Sequence, residues 1–457
     1  MQVQQNSRPN LPWAWVPSLY FASGLPYVVV MSVSVIMYKR LGISNTEIAL
    51  YTSWLYLPWV IKPFWSPFVD ILKTKRAWII AMQLLIGAGL GGVALTIPTD
   101  NFLRGSLAFL WLLAFSSATH DIAADGFYML GLSRHDQTWF VGIRSTFYRL
   151  AMITGQGLLI ILAGTLENVM NAQGTESTAL TGAAVTPGTS LAWAITFYLM
   201  AGLFVLFFAW HRFALPRPAE DGPKLHATYA EVMRDFVETF VAFFRKPHIG
   251  LILTFLLLFR FSEAQLVKLS APFLLDSPEL GGLALSTGQV GFAYGTIGVL
   301  MLVLGGLAGG FLAARHGLKR WLLWMVVAIN LPNAVYIFLA TTLPENLVII
   351  NLAIGVEQFG YGFGFAAYML YMLYISNGPH QTAHYAISTG FMALGMMIPG
   401  MFSGWLQELI GYQTFFIWVL LATIPSFIVT YMIPLDKSFG RKKSQLDSRP
   451  ADNMKDS

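Results

Sequence analysis

The chain has 457 residues, 56% of them apolar and 11% charged, with a mean hydropathy of +0.59. A soluble domain carries about 25% charged residues, which excludes a typical soluble enzyme, a nucleic-acid binder and a receptor with a large soluble head. The net charge of +5 reads as membrane topology, and with no cysteine there is no disulfide, thiolate metal site or cysteine nucleophile.

Twelve apolar segments follow in chain order, near 12–38, 47–69, 77–98, 104–131, 139–166, 190–212, 249–275, 286–313, 320–341, 345–374, 381–409 and 412–433. The first is too long for a cleavable leader and lacks a small-residue cleavage site. Six spans, a polar stretch and six more form a repeat at the level of halves. The expected units are an N-terminal six-helix bundle over 1–212, a linker over 213–248, a C-terminal six-helix bundle over 249–436 and a disordered basic tail over 437–457. Within the linker, Val232, Phe236, Phe240 and Phe244 recur every four residues. That stripe predicts an amphipathic helix on the membrane surface, with a short soluble helix as the alternative.

Placing both termini in the cytoplasm puts twenty Lys and Arg on that side, three on the other (Lys39, Arg40 and Arg104) and five inside spans. The positive-inside rule fixes this orientation. The turn after span 2 ends in Lys75 and Arg76, and the turn after span 8 ends in Lys319 and Arg320, at the same offset in each half. The first copy keeps Asp70; the second keeps Gly310, Arg315 and Gly317 but has Ala314 where an aspartate would stand. The pattern resembles the loop signature of the major facilitator superfamily, Gly-xxx-Asp-Arg-x-Gly-basic-basic. It implies an all-α membrane protein with the major facilitator fold, twelve transmembrane helices in two pseudo-symmetric six-helix bundles.

A charge at the middle of a span costs at least about 2.5–3.5 kcal/mol on insertion scales. Lys62, Asp121, Asp125, Arg144, Arg149, Arg260, Glu263, Lys268 and Glu357 must therefore face one another or a wet cavity. Asp121 and Asp125 are four apart and share a face of span 4. The short turn from Ser133 to Gln137 makes spans 4 and 5 an antiparallel hairpin, in which residues at equal depth keep a constant index sum. Asp125 then lies level with Arg144, and Asp121 with Arg149. The two arginines are about 140° apart, so only one points squarely at the aspartates. Ion bridges that close the cytoplasmic end without touching cargo are the plainer reading.

Arg260 and Glu263 share a face of span 7 and are expected to line the cavity, whereas Lys268 either joins them or snorkels to the outer interface. Glycines in spans 8 and 10 suit close helix packing. Glu357 has no basic residue within a turn and is the better resting proton acceptor, while Asp121 takes a proton only when its arginine swings away or engages an anionic cargo. His120 and Asp125 have an acyltransferase-like spacing but stand about 140° apart on a helix. His380 and His384 lack a third ligand and read as an interfacial pair rather than a metal site. No catalytic constellation or cofactor is expected.

Five segments carry a closer likeness: Ser23 to Pro26, Leu57 to Asp70, Ser116 to Asp125, Glu357 to Gly364 and Gly404 to Phe416. They resemble the AmpG-type muropeptide permeases, which are related to peptide and acetyl-coenzyme A transporters. The resemblance implies proton-driven uptake of anhydro-muramyl peptides across a bacterial inner membrane, by a monomer whose partners are cargo, protons and the bilayer. Sugar hydroxyls and carboxylates suit aromatic faces, amides and arginine. Expected cargo contacts are Arg149, Arg260, Gln156 and Gln358. The expected proton-linked carboxylates are Asp121, Glu357 and Glu263, and the expected gate residues are Asp70, Asp125, Arg144 and Arg315. His120 and a long outer loop after span 5 depart from the family pattern. They leave open another anionic or amphipathic cargo, such as an acylated cofactor, a siderophore or a sugar.

Overall fold

The computed structural model describes residues 12–173, 186–222, 229–436 and 439. The expected basic tail therefore lies almost wholly outside the described residues, as does much of the loop after span 5.

Nine crossings are long apolar helices: Pro12–Arg40, Lys75–Thr96, Phe102–Gly131, His135–Ala172 and Pro187–Ala214 in the first half, then Ile249–Leu275, Thr287–His316, Leu318–Thr342 and Leu347–Ser376 in the second. Span 2 is split into Asn45–Trp54 and Leu57–Leu72, because Pro58 lacks an N–H and its ring conflicts with the carbonyl one turn back. The helical run Gln381–Met432 holds spans 11 and 12, divided at Gly411, whose φ of 74° no ordinary helical residue adopts. Twelve crossings result. Side-chain caps fix where several begin: Ser44, Thr74, Ser133 and Thr186 each accept a backbone N–H, and Ser286 forms a capping box with Gln289.

The apolar core shows how the halves meet. One continuous cluster joins residues of both halves at the end of the bundle away from the chain termini, here the far end. At the near end the core is divided, with one cluster in each half. Glycines allow the far-end fusion. A Cβ on Gly295 of span 8 would overlap the backbone of Gly157 in span 5, and one on Gly404 of span 11 would overlap the carbonyl of Asn45 in span 2. Both members of the first crossing sit in wide π turns, Thr154–Leu159 and Ala293–Gly298. Such insertions re-aim side chains, here Gln156 and Tyr294.

The paired basic residues do structural work at the near end. Arg76 donates to the carbonyls of Arg212 and Leu215, and Lys319 donates to that of Leu435, so each turn is tied to the last span of its own half. The Asp221 carboxylate accepts from the backbone N–H groups of Lys75 and Arg76, capping span 3 with the linker. The linker helix Tyr229–Phe244 spends much of its aromatic face on protein. Phe236 and Phe240 meet Phe64 of span 2, while Phe243 and Phe244 meet Phe391 of span 11. It thus touches both halves.

Candidate substrate cavity

A cavity of about 880 Å³ separates the two near-end cores, with Lys62, Asp121, Asp125, Arg144 and Arg149 on one wall and Tyr361, Phe365 and Tyr385 on the other. It continues through shared wall residues into chambers of about 480 Å³ and 160 Å³. On the first wall, Arg144 Nη2 donates to Asp125 Oδ1 at 2.9 Å, and its guanidinium lies 4.4 Å from the centroid of the Tyr20 ring. Tyr20 also donates to Asp125, at 3.2 Å. The hairpin register therefore delivers this pair as expected.

Asp121 and Arg149 do not pair. Five residues beyond Arg144, Arg149 is rotated about 140° around the helix, away from the aspartates. It lines the cavity without an ion pair among the described residues. Asp121 instead takes Lys62 of span 2, with Nζ 4.0 Å from Oδ2, and the indole N–H of Trp59 at 3.4 Å. The neighbouring His120 is enclosed: Ser23 meets Nδ1 at 3.1 Å, and Gln83 links Nε2 to His211.

Span 7 breaks at Arg260, between helices Ile249–Leu258 and Phe261–Leu275. Arg260 donates twice to Glu263, at 2.9 and 2.6 Å, and to the Tyr361 hydroxyl at 2.8 Å. The expected proton carrier Glu263 is thus a counter-ion that occupies the fork of the expected cargo contact. Glu357 is buried and accepts from Gln358 Nε2 at 2.8 Å, with no ion pair among the described residues. Gln156 Nε2 donates to Ser32 Oγ at 3.1 Å on the wall of the smallest of the three chambers.

Lys268 does not snorkel: it is 1% exposed, donates to Thr52 of the other half at 2.9 Å and stands 5.1 Å from the Tyr56 ring centroid. Its helix phase turns it toward the seam between halves rather than toward lipid. Arg315 is exposed in the last turn of span 8 and makes no ion pair among the described residues. Asp70 lies in the last turn of span 2, with its side chain outside the described residues.

The far end carries a polar seal that the sequence reading missed. Lys39 Nζ is 2.6 Å from Asp276 of the other half, and Tyr412 donates to the same carboxylate at 2.6 Å. Asn45 donates to Gln407 and Tyr412, and Thr46 to Glu408, all across the halves. Glu167 gathers Arg40, Trp193 and Thr287, the last from the other half. The two ends differ in exposure. The side chains of Lys39 and Asp276 are 14% and 9% exposed, against 31% and 51% for Arg144 and Asp125. The cavity is therefore open at the near end and shut at the far end. Lys39 and Arg40 were visible as rare outer basic residues; what they would meet was not.

Two like helical halves, a charged cavity between them and a seal at one end only define a membrane transporter. Residues 18–383 match the Major Facilitator Superfamily, and the chain belongs to it. It is a multi-pass membrane transporter rather than an enzyme. The anhydromuropeptide permease of Escherichia coli K12 is 25% identical over 448 residues, covering 95% of this chain and 82% of that one. Among solved structures, a bacterial homolog of the human lysosomal transporter Spinster matches with a TM-score of 0.67 at 14% identity, over 93% of this chain and 98% of that one. The nucleoside transporter NupG matches with a TM-score of 0.64 at 15% identity, over 92% and 97%.

Proposed function

We propose that this transporter carries cell-wall muropeptides, disaccharide peptides bearing an anhydro-muramic acid, inward across a bacterial inner membrane by proton-coupled alternating access. The observation that carries the reading is Arg149, a guanidinium without a carboxylate partner among the described residues, lining the same cavity as an Asp121 whose cation, Lys62, lies 4.0 Å away. A cargo carboxylate fits the planar fork of Arg149. The likeness to an anhydromuropeptide permease over nearly the whole chain supports the cargo class. The excess of Lys and Arg on the terminus-bearing side supports a cytoplasmic near end, with both termini there.

Coupling follows from competition. Cargo carboxylates draw on Lys62 and Arg149, and an Asp121 left without its cation in a drying cavity is neutralised by a proton. Glu357, buried with Gln358 as its one hydrogen-bond partner among the described residues, is the second proton-linked carboxylate. Cargo and proton then favour each other's binding, as symport requires. The Asp125–Arg144 pair borders the near-end mouth as a gate. Uptake of labelled anhydromuropeptide into vesicles carrying the protein, with and without a proton gradient, tests the reading. Gradient-dependent uptake is expected. Uptake indifferent to the gradient removes coupling; no uptake, with binding of another solute, removes the cargo.

A further inference from the structure

We propose, resting on the muropeptide reading, that the cavity holds its cargo in one orientation, with a neutral sugar ring in the small deep chamber between Gln156 and Gln358 and the charged peptide in the wide chamber toward the near end. The chemistry of the two chambers differs. The deep one, about 160 Å³, has a single charged wall residue among those described, Arg260, and Glu263 already neutralises it. An unpaired carboxylate or ammonium placed there would be desolvated without a counter-charge. The wide chamber, about 880 Å³, presents both signs on Lys62, Asp121 and Arg149.

The deep chamber is built to accept hydrogen bonds. Gln358 Nε2 donates to Glu357 and Gln156 Nε2 to Ser32, and neither amide oxygen has a partner among the described residues. Oriented acceptors take O–H and N–H donors, the groups that sugar hydroxyls and acetamido groups supply. Tyr27, Tyr56 and Tyr361 add flat aromatic faces with hydroxyls at their rims. The chamber is a small fraction of the wide one, which suits one ring better than an extended peptide. Gln156 belongs to one half and Gln358 to the other, so a ring held by both bridges the moving parts just inside the seal.

Calorimetric binding to the full-length protein in lipid nanodiscs tests this with three probes: neutral diacetylchitobiose, a disaccharide tetrapeptide muropeptide, and the free tetrapeptide. Gln156→Met and Gln358→Met should each weaken the neutral disaccharide and the muropeptide by a common factor of about threefold to tenfold, the worth of a lost neutral hydrogen bond. Free-peptide binding should not change in either variant, which also reports an intact fold. Arg149→Ala should weaken the muropeptide and the free peptide and spare the neutral disaccharide. Disaccharide binding that falls with Arg149→Ala but not with the glutamine variants overturns the orientation, as does a wild-type protein that binds muropeptide with no measurable affinity for the neutral sugar. A wild-type protein that binds none of the three while binding another solute overturns the muropeptide reading itself.

Discussion

At the far end of the molecule polar groups bond across the two halves; in the near-end cavity they bond within one half. Lys39 reaches over to Asp276, Asn45 to Gln407, and Thr46 to Glu408. By contrast, Asp121 with Lys62 and Asp125 with Arg144 stay inside the first half, and Arg260 with Glu263 inside the second. The difference separates two kinds of charge. Bonds that cross a moving boundary must break when the halves rock, so they set which state is favoured. Bonds within a half ride along with it and are free to shape the cavity for cargo.

The strongest way to break the comparison is steric. Gly157→Leu places a side chain where span 8 backbone already lies, so the far end should not close. Uptake should fall to background, and a single cysteine introduced at the far end should become permanently reactive to an impermeant maleimide. The native chain has no cysteine, so such probes report cleanly. Next comes Asp121→Asn, which should abolish gradient-driven uptake while insertion and thermal stability are kept. An active variant would show that the Lys62 contact is only structural.

Lys39→Ala sharpens the same contrast. It leaves a mostly buried Asp276 with Tyr412 but no cation, and loss of one partner from such a pair costs about 3 kcal/mol. That cost falls on the far-end-closed state alone, so far-end labelling should speed up, and the double variant Lys39→Ala with Asp276→Ala should recover part of the loss. The smallest effect is expected for Arg144→Gln. Its partner Asp125 is half exposed, and such pairs contribute about 0–1 kcal/mol. Uptake should drop no more than about fivefold, with far-end labelling unchanged.

The parts legible in the sequence are those fixed locally. Span number and halves follow from apolar run length and the placement of Lys and Arg, and the Asp125–Arg144 bond follows from a hairpin whose short turn sets the register. Pairings between distant segments were not legible. Asp121 meets Lys62 because spans 2 and 4 are neighbours in the bundle, which no local spacing reveals. Lys39 and Asp276 lie in different halves, far apart in sequence, and meet in this far-end-closed arrangement. The sequence left Lys268 between two positions because depth alone does not give helix phase, and its phase faces Thr52. The π turn at Thr154–Leu159 shifts that phase again for Gln156.

The central claim is that the two halves rock about the cavity, opening one end as the other shuts. Spin labels at Asp100 and Glu345 report the far-end separation of the halves, and labels at His135 and Asn377 report the near end; all four positions are exposed. Pulsed electron–electron distances in proteoliposomes, with and without muropeptide under a proton gradient, measure both. The far-end distance should lengthen as the near-end distance shortens, in one coupled population. Two distances that stay fixed, or that lengthen together, would contradict it.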